Sequence, residues 1–340
     1  MSVFGDSSMM ISNDRFRTQK KILKSGRFFK FICGAGNEDP EEVYKLSLVY
    51  TLAGAKSIDI SATVEVVQST IRAINDAEKL LDHFKVSDYV RPYITVSVGM
   101  AGDHHVRKAH IISTMCTKCN ACIPVCPTDA IPDSLIIIEN RCIGCGACGV
   151  ACQDDAIGYN HKQLELEQVL FECVEAGAEN IELHAAVPDH DQTLIEWKVI
   201  NEILPKGFLS ICLDRAYLSN FELRKRIELL LDLSPNRLIV QADGTPMSGG
   251  RDDYNTTLQA IATADIVSKL NLPVHILLSG GTNSKSIELS KLSGVPTAGV
   301  SIGTFARHLV YEYINDPKFP DMGVLESAVK KAKRLVSTCT

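Results

Sequence analysis

The chain has 340 residues, enough to bury a large core as one domain or two. Its 45% hydrophobic content is that of a soluble globular protein, and the formal net charge of −6 argues against nucleic acid as the main partner. No apolar stretch approaches the roughly 20 residues of a membrane span, and the N-terminus lacks the apolar core of a secretory signal, so a cytoplasmic location is expected.

Residues 1–24 read as a polar, partly disordered lead-in. Beyond them, short apolar runs alternate with helical patterns. The runs are Phe28–Cys33, Ser57–Ser61, Tyr93–Val98, Asn180–His184, Phe208–Asp214, Arg237–Ala242, Val274–Ser279 and Ala298–Ile302. Helical patterns fall between them, as at Pro40–Ala53, Val64–Phe84, Leu164–Ala176 and Phe221–Leu233. Strands alternating with helices imply a parallel sheet. Eight such units predict an α/β fold, a closed (β/α)8 TIM-like barrel, with an open doubly wound sheet as the alternative. Residues 25–102 form its first part and 162–340 its second. Between them lies a small insert, 103–161, following the third strand on a βα loop, which is the face where barrel active sites lie.

The insert carries the chemistry. Cys116, Cys119, Cys122 and Cys126 make one C-x2-C-x2-C-x3-C run, and Cys142, Cys145, Cys148 and Cys152 make a second. This is the spacing of a bacterial ferredoxin with two [4Fe–4S] clusters, in which the fourth cysteine of each run ligates the other cluster. The expected sets are therefore Cys116, Cys119, Cys122 and Cys152 for one, and Cys142, Cys145, Cys148 and Cys126 for the other. The repeat continues past the cysteines, since Cys126–Ile131 matches Cys152–Ile157 at an offset of 26 residues. Leu135–Ile138 between the halves reads as a strand. Zinc sites use separated C-x2-C pairs, and disulfides need an oxidising compartment, so neither fits as well. Cys33, Cys173, Cys212 and Cys339 lie outside the runs and read as buried small hydrophobes or stray thiols. The adjacent His104 and His105 read as surface residues.

Strand parity places Lys30, Asp59, Ser61, Thr95, Ser97, Glu182, His184, Cys212, Asp214, Gln241, Asp243, His275, Ser279 and Ser301 inside the barrel. Buried charges must be paired, hydrated or engaged with a ligand. Structural salt bridges such as Lys30 with Asp59 are one reading, and a ligand site is the other. His184, Asp214 and Asp243, nearest the C-terminal strand ends, are the catalytic candidates, while His275 reads as structural. Ser279, Gly280 and Gly281 end the seventh strand, and Gly303 and Thr304 follow the eighth. Barrels often bind phosphate between those loops, so a flavin or other phosphorylated ligand is a candidate. Arg251, in the glycine-rich loop after strand six, is a candidate anion contact. The alternative is that these glycines only make tight turns and Arg251 is a solvated surface residue.

The opening Gly26-Arg-Phe-Phe-Lys-Phe-Ile-Cys-Gly-Ala35, Leu52-Ala-Gly-Ala55, the double cysteine run and Gln241-Ala-Asp-Gly-Thr-Pro-Met-Ser-Gly249 resemble the light-dependent period family of cyanobacteria. The resemblance covers most of the chain after about residue 25. It implies an iron–sulfur protein that passes light-dependent redox state to the circadian clock, in contact with clock-associated proteins. Two readings follow. One is a redox sensor or electron-transfer module acting on a redox partner or regulatory protein. The other is an oxidoreductase whose clusters feed electrons to a flavin or phosphorylated substrate in the barrel mouth.

Overall fold

The computed structural model describes residues 13–86, 88–100, 107–161, 165–215, 218–244 and 251–339. Eight parallel strands close a barrel in the order β1-β10-β9-β8-β7-β6-β3-β2. They are β1 (Phe28–Ile32), β2 (Ser57–Ser61), β3 (Tyr93–Gly99), β6 (Asn180–His184), β7 (Leu209–Leu213), β8 (Leu238–Asp243), β9 (His275–Ser279) and β10 (Gly299–Ile302). The open-sheet alternative is excluded because β1 pairs both β2 and β10, with Phe28 opposite Gly299 and Lys30 opposite Ser57. The outer helices include α2 (Pro40–Ala53), α7 (Asn220–Leu233), α8 (Leu258–Lys269) and α10 (Thr304–Ile314). Asp39 caps α2 by accepting from the Glu41 and Glu42 N–H groups, with Pro40 opening the first turn. Ser219 and Glu222 form a reciprocal capping box on α7.

Alternate strand residues separate two cores. Phe29, Phe31, Ile58, Ile60, Val96 and their counterparts pack outward with the helices, and the Phe31 ring stacks on Tyr50 of α2 with centroids 3.8 Å apart. At the N-terminal end of the lumen, Phe28, Tyr93, Phe208, Ile239 and Leu277 form a separate apolar floor. Residues 13–24, expected to be part of an irregular lead-in, instead form helix α1 (Asn13–Lys24), which covers that floor. Leu23 is buried there, the Phe16 ring stacks on Phe208 at 4.7 Å, and Arg15 donates two hydrogen bonds to Glu179. The segment is polar on average, yet one face carries Phe16, Ile22 and Leu23 at helical spacing. His275 lies at the same end, its ring edge-on to Phe208.

The insert follows β3. Its ends pair as an antiparallel ribbon of β4 (Arg107–Ile111) and β5 (Ile157–His161), so the loops carrying the cysteines hang from one closed base. Leu135–Ile138 is not a strand. Leu135 has φ of +57°, and Ile138 meets only the Ala130 carbonyl through its N–H. An apolar run without an adjacent sheet edge has no ladder to join. His104 and His105, and residues 245–250 of the loop after β8, lie outside the described residues.

Candidate cluster sites and the polar lumen

The insert's two halves fold alike. Left-handed backbone occurs at Lys118, Asn120 and Asp129 in the first half and at Gly144, Gly146 and Asp155 in the second, each pair 26 residues apart. The matching conformations bring the cysteines into two cavities. One is lined by Cys126, Cys142, Cys145 and Cys148, with Ala130, Ile131 and Tyr159 among its walls. The other is lined by Cys116, Cys119, Cys122 and Cys152. Each thus gathers three cysteines from one run and one from the other.

Backbone donors already point at sulfur. The Ala130 N–H lies 3.2 Å from Cys126 Sγ, and the Ala156 N–H lies 3.3 Å from Cys152 Sγ, another pair offset by 26. Ala109 donates to Cys142 Sγ at 3.3 Å and Lys118 to Cys116 Sγ at 3.4 Å. Such N–H contacts orient thiolate ligands and tune a bound cluster. Burial pushes the Cys122, Cys145 and Cys148 thiols up, so a metal that binds them must displace protons. Soft sulfur donors in fours, with N–H groups aimed at them, fit an iron–sulfur cluster.

The cavity nearer the barrel is ringed by cations that the sequence reading did not single out as cluster neighbours. Lys108 Nζ is buried and donates to the carbonyls of Gly36 at 2.6 Å, Glu139 at 3.0 Å and Cys142 at 2.9 Å. Arg107 donates to the Gly144 carbonyl at 3.1 Å and lies 3.9 Å over the Tyr159 ring. Arg307 on α10 is 4% exposed and donates to the Cys33 carbonyl and, at 3.2 Å, to Thr304 Oγ1. Burial pulls its guanidinium below the ordinary value, opposed by the charges of Glu42, Cys33, Cys145 and Cys126. Arg107 and Lys108 open the ribbon that suspends the insert. Their proximity to the cysteines follows only from the pairing of β4 with β5.

The candidate phosphate residues sit in packed turns. Gly280, at φ of +61°, stands so close to Gly244 that a Cβ there would lie 2.6 Å from the Gly244 carbonyl oxygen. Thr282 donates to the Ser301 carbonyl, and Asn283 Nδ2 holds the carbonyls of Arg251 and Asp253 at 2.8 and 2.7 Å. Thr304 opens α10 and accepts from Arg307, and the Arg251 side chain is exposed. Ser279, Gly281 and Gly303 complete the two turns. Close backbone packing accounts for Gly280, and these contacts tie the β8 and β9 loops together.

Above the apolar floor the lumen is polar and connected. Lys30 Nζ pairs with both Asp59 and Glu182, all three no more than 2% exposed. Ser97 donates to Asp59 Oδ1 at 2.6 Å. Gln241 Nε2 donates to Glu182 Oε2 at 2.7 Å, while Gln241 Oε1 accepts from Ser301 at 2.8 Å. Burial opposes the Lys30 charge, but Asp59 and Glu182 outweigh it and hold the lysine above its usual value. The expected Lys30–Asp59 bridge is present, with Glu182 across the lumen as a second partner. His184 is brought beside Glu182 and Cys212, its Nε2 lying 3.8 Å from Glu182 Oε1 and 4.0 Å from Cys212 Sγ. Asp214 and Asp243 are also buried at this end.

The two halves of the cysteine repeat, residues 109–131 and 135–158, match the 4Fe-4S binding domain. Residues 173–338 match the light dependent period A C-terminal domain. Light dependent period A of Synechococcus elongatus is 30% identical over 327 residues, spanning 94% of this chain and 90% of that protein. This chain belongs to the light dependent period A family. Among solved structures, the aldolase QR15 is similar at 10% identity with a TM-score of 0.45, covering 84% of this chain and 97% of that one. The YdjI aldolase of Escherichia coli K12 is similar at 9% identity with a TM-score of 0.46, covering 95% and 94%. The barrel assignment for this family member rests on its own closed strand order. No helix among the described residues is long and apolar enough to cross a membrane.

Proposed function

We propose that this family member is a redox-sensing iron–sulfur protein. Cys116, Cys119, Cys122 and Cys152 hold one [4Fe–4S] cluster, and Cys126, Cys142, Cys145 and Cys148 hold a second. The carrying observation is the pair of cavities, each lined by three cysteines of one run and the fourth of the other. Bound clusters supply one-electron transfer. The chain supplies the N–H donors at sulfur, the surrounding cations and a mechanical tie to the barrel. Lys108 grips both the Gly36 and Cys142 carbonyls, Arg141 pairs with Asp39 at 3.0 Å, and the Glu38 N–H donates to Asn140. A change of charge in the inner cavity therefore acts on the rim loop between β1 and α2, the surface offered to a regulatory partner. The family relationship supports a light-dependent role in circadian input, with clock-associated proteins as partners in the cytoplasm.

Anaerobically purified protein should contain about eight irons and eight sulfides per chain, and about four after full reconstitution would refute two clusters. Cys126→Ser and Cys145→Ser should abolish the same paramagnetic signal, and Cys119→Ser and Cys152→Ser the other. If Cys126→Ser matched Cys119→Ser instead, the crossed sets would be wrong. Hydrogen exchange over residues 34–42 should differ between reduced and oxidised protein. Identical exchange would leave an electron carrier without the sensing role. The polar lumen favours a second reading, an oxidoreductase with His184, Asp214 and Asp243 moving protons at the barrel mouth. Mass spectrometry of small molecules released from native protein separates the two, since a stoichiometric redox ligand would favour the enzyme.

A further inference from the structure

Three unlike donors converge above the floor of the lumen. Glu182 and His184 are two apart on β6 and face the same way, and His184 is directly opposite Cys212 on β7. Glu182 Oε1 lies 3.3 Å from Cys212 Sγ and 3.8 Å from His184 Nε2, and that nitrogen lies 4.0 Å from Cys212 Sγ. All three side chains are buried. A point equidistant from three atoms so spaced lies about 2.2 Å from each, against zinc–ligand lengths of about 2.0 to 2.3 Å.

The supports of Glu182 strengthen the case. Its Oε2 accepts from both Lys30 and Gln241, and Gln241 is itself oriented by Ser301. The carboxylate is thereby held with Oε1 turned toward the imidazole and the thiol. Outer hydrogen bonds that fix a ligand in this way are characteristic of metal sites. Thiolate, imidazole and carboxylate together suit zinc better than magnesium or calcium, which take oxygen donors.

We propose that Glu182, His184 and Cys212 bind one zinc ion inside the barrel, distinct from the cysteine cavities of the insert. Binding converts the Cys212 thiol, now hydrogen-bonded to Glu182, into a zinc thiolate and releases its proton to solvent. Thiolate and carboxylate together balance the charge of the ion. Three protein donors leave the fourth tetrahedral position to water or a small ligand.

The test is zinc content and zinc-edge X-ray absorption on the cluster-loaded full chain, incubated with zinc chloride and desalted. The expected result is about one zinc per chain, with one sulfur at about 2.3 Å and the remaining neighbours nitrogen or oxygen at about 2.0 Å. Cys212→Ala should lose that zinc while keeping its iron content and melting cooperatively. Should Cys212→Ala fail to fold, His184→Gln carries the same expectation. Absence of bound zinc, a shell of three or four sulfurs from the insert cysteines, or full retention of zinc in a folded variant would each overturn the site.

Discussion

Replacing Lys30 by Met tests whether the lumen network is dry and mutually dependent. The substitution keeps most of the aliphatic stem and removes the one ammonium that touches both Asp59 and Glu182. Two carboxylates no more than 2% exposed then face each other without it. Breaking a buried pair by deleting one partner costs about 3–5 kcal/mol. For 340 residues at roughly 2.1 cal/mol/K each, the unfolding entropy is about 0.7 kcal/mol/K, so the cost corresponds to about 4–7 °C in melting temperature. The loss must also depend on pH. Burial already holds the Asp59 carboxyl above its usual range, and losing the lysine, which lowers both carboxylates, raises the folded pKa of at least one of them further above its unfolded value of about 4. Between those two values the folded state binds more protons, so the stability of the variant falls as pH rises through that window. The gap to the parent protein should therefore be smallest near pH 5 and larger at pH 8. Anaerobic denaturation at both pH values, with EDTA present to keep the neighbouring metal position empty, measures it. A cost under about 1 kcal/mol with no pH dependence would show that these charges behave like hydrated surface pairs and would refute the dry-network argument.

Gly280→Ala should cost at least about 3 kcal/mol, because the left-handed backbone strain is joined by a clash with Gly244, whereas Gly54→Ala at the end of α2 meets nothing within 4 Å and should cost about 1 kcal/mol. Comparing their urea midpoints tests this. Phe16→Ala should destabilise the fold by lifting α1 from Phe208, and limited proteolysis near residue 25 should accelerate accordingly. Arg307→Met removes a buried positive charge beside the Cys126 and Cys145 site, which disfavours the more negative, reduced cluster. The potential of that cluster should fall by on the order of tens of millivolts while the other holds, as read by anaerobic redox titration.

The parallel α/β sheet was legible because its strands are short runs alternating apolar and polar residues between helical patterns, while closure into a barrel was decided by the pairing of β1 with β10. Lys30, Asp59, Glu182 and Gln241 stood out as polar residues at lumen positions, and their contacts follow from parity once the barrel closes. Which of them touch did not follow, because Lys30 reaches Glu182 across the lumen from a strand 152 residues away in sequence. For the same reason parity alone did not show that His184 lies beside Glu182 and Cys212. Glu182 and Cys212 were on the lumen list, but only the pairing of β6 with β7 sets His184 opposite Cys212. Helix α1 was hidden by the average polarity of residues 13–24, since three apolar side chains on one face suffice when the surface beneath them is already apolar. Leu135–Ile138 misled for the opposite reason, because β-branched composition without a neighbouring edge does not make a strand.

The cation distribution makes the two cysteine cavities inequivalent, and that bears on how a redox signal would leave the insert. The cavity of Cys126, Cys142, Cys145 and Cys148 has Arg107, Lys108 and Arg307 around it, two of them buried. The cavity of Cys116, Cys119, Cys122 and Cys152 has exposed Cys119 on its wall and Asp154 accepting from Thr117 at 2.6 Å. Positive surroundings favour the reduced state of a cluster, and exposure eases exchange with a partner. On the proposed reading, electrons enter at the outer site and come to rest at the inner one. The inner site is also the one bound to the rim, through Lys108 at Gly36 and Arg307 at Cys33. The added negative charge would strengthen the pull of both cations toward the cluster and weaken their hold on those two carbonyls, so the loop from Cys33 to Asp39 is where reduction should first be felt in the barrel.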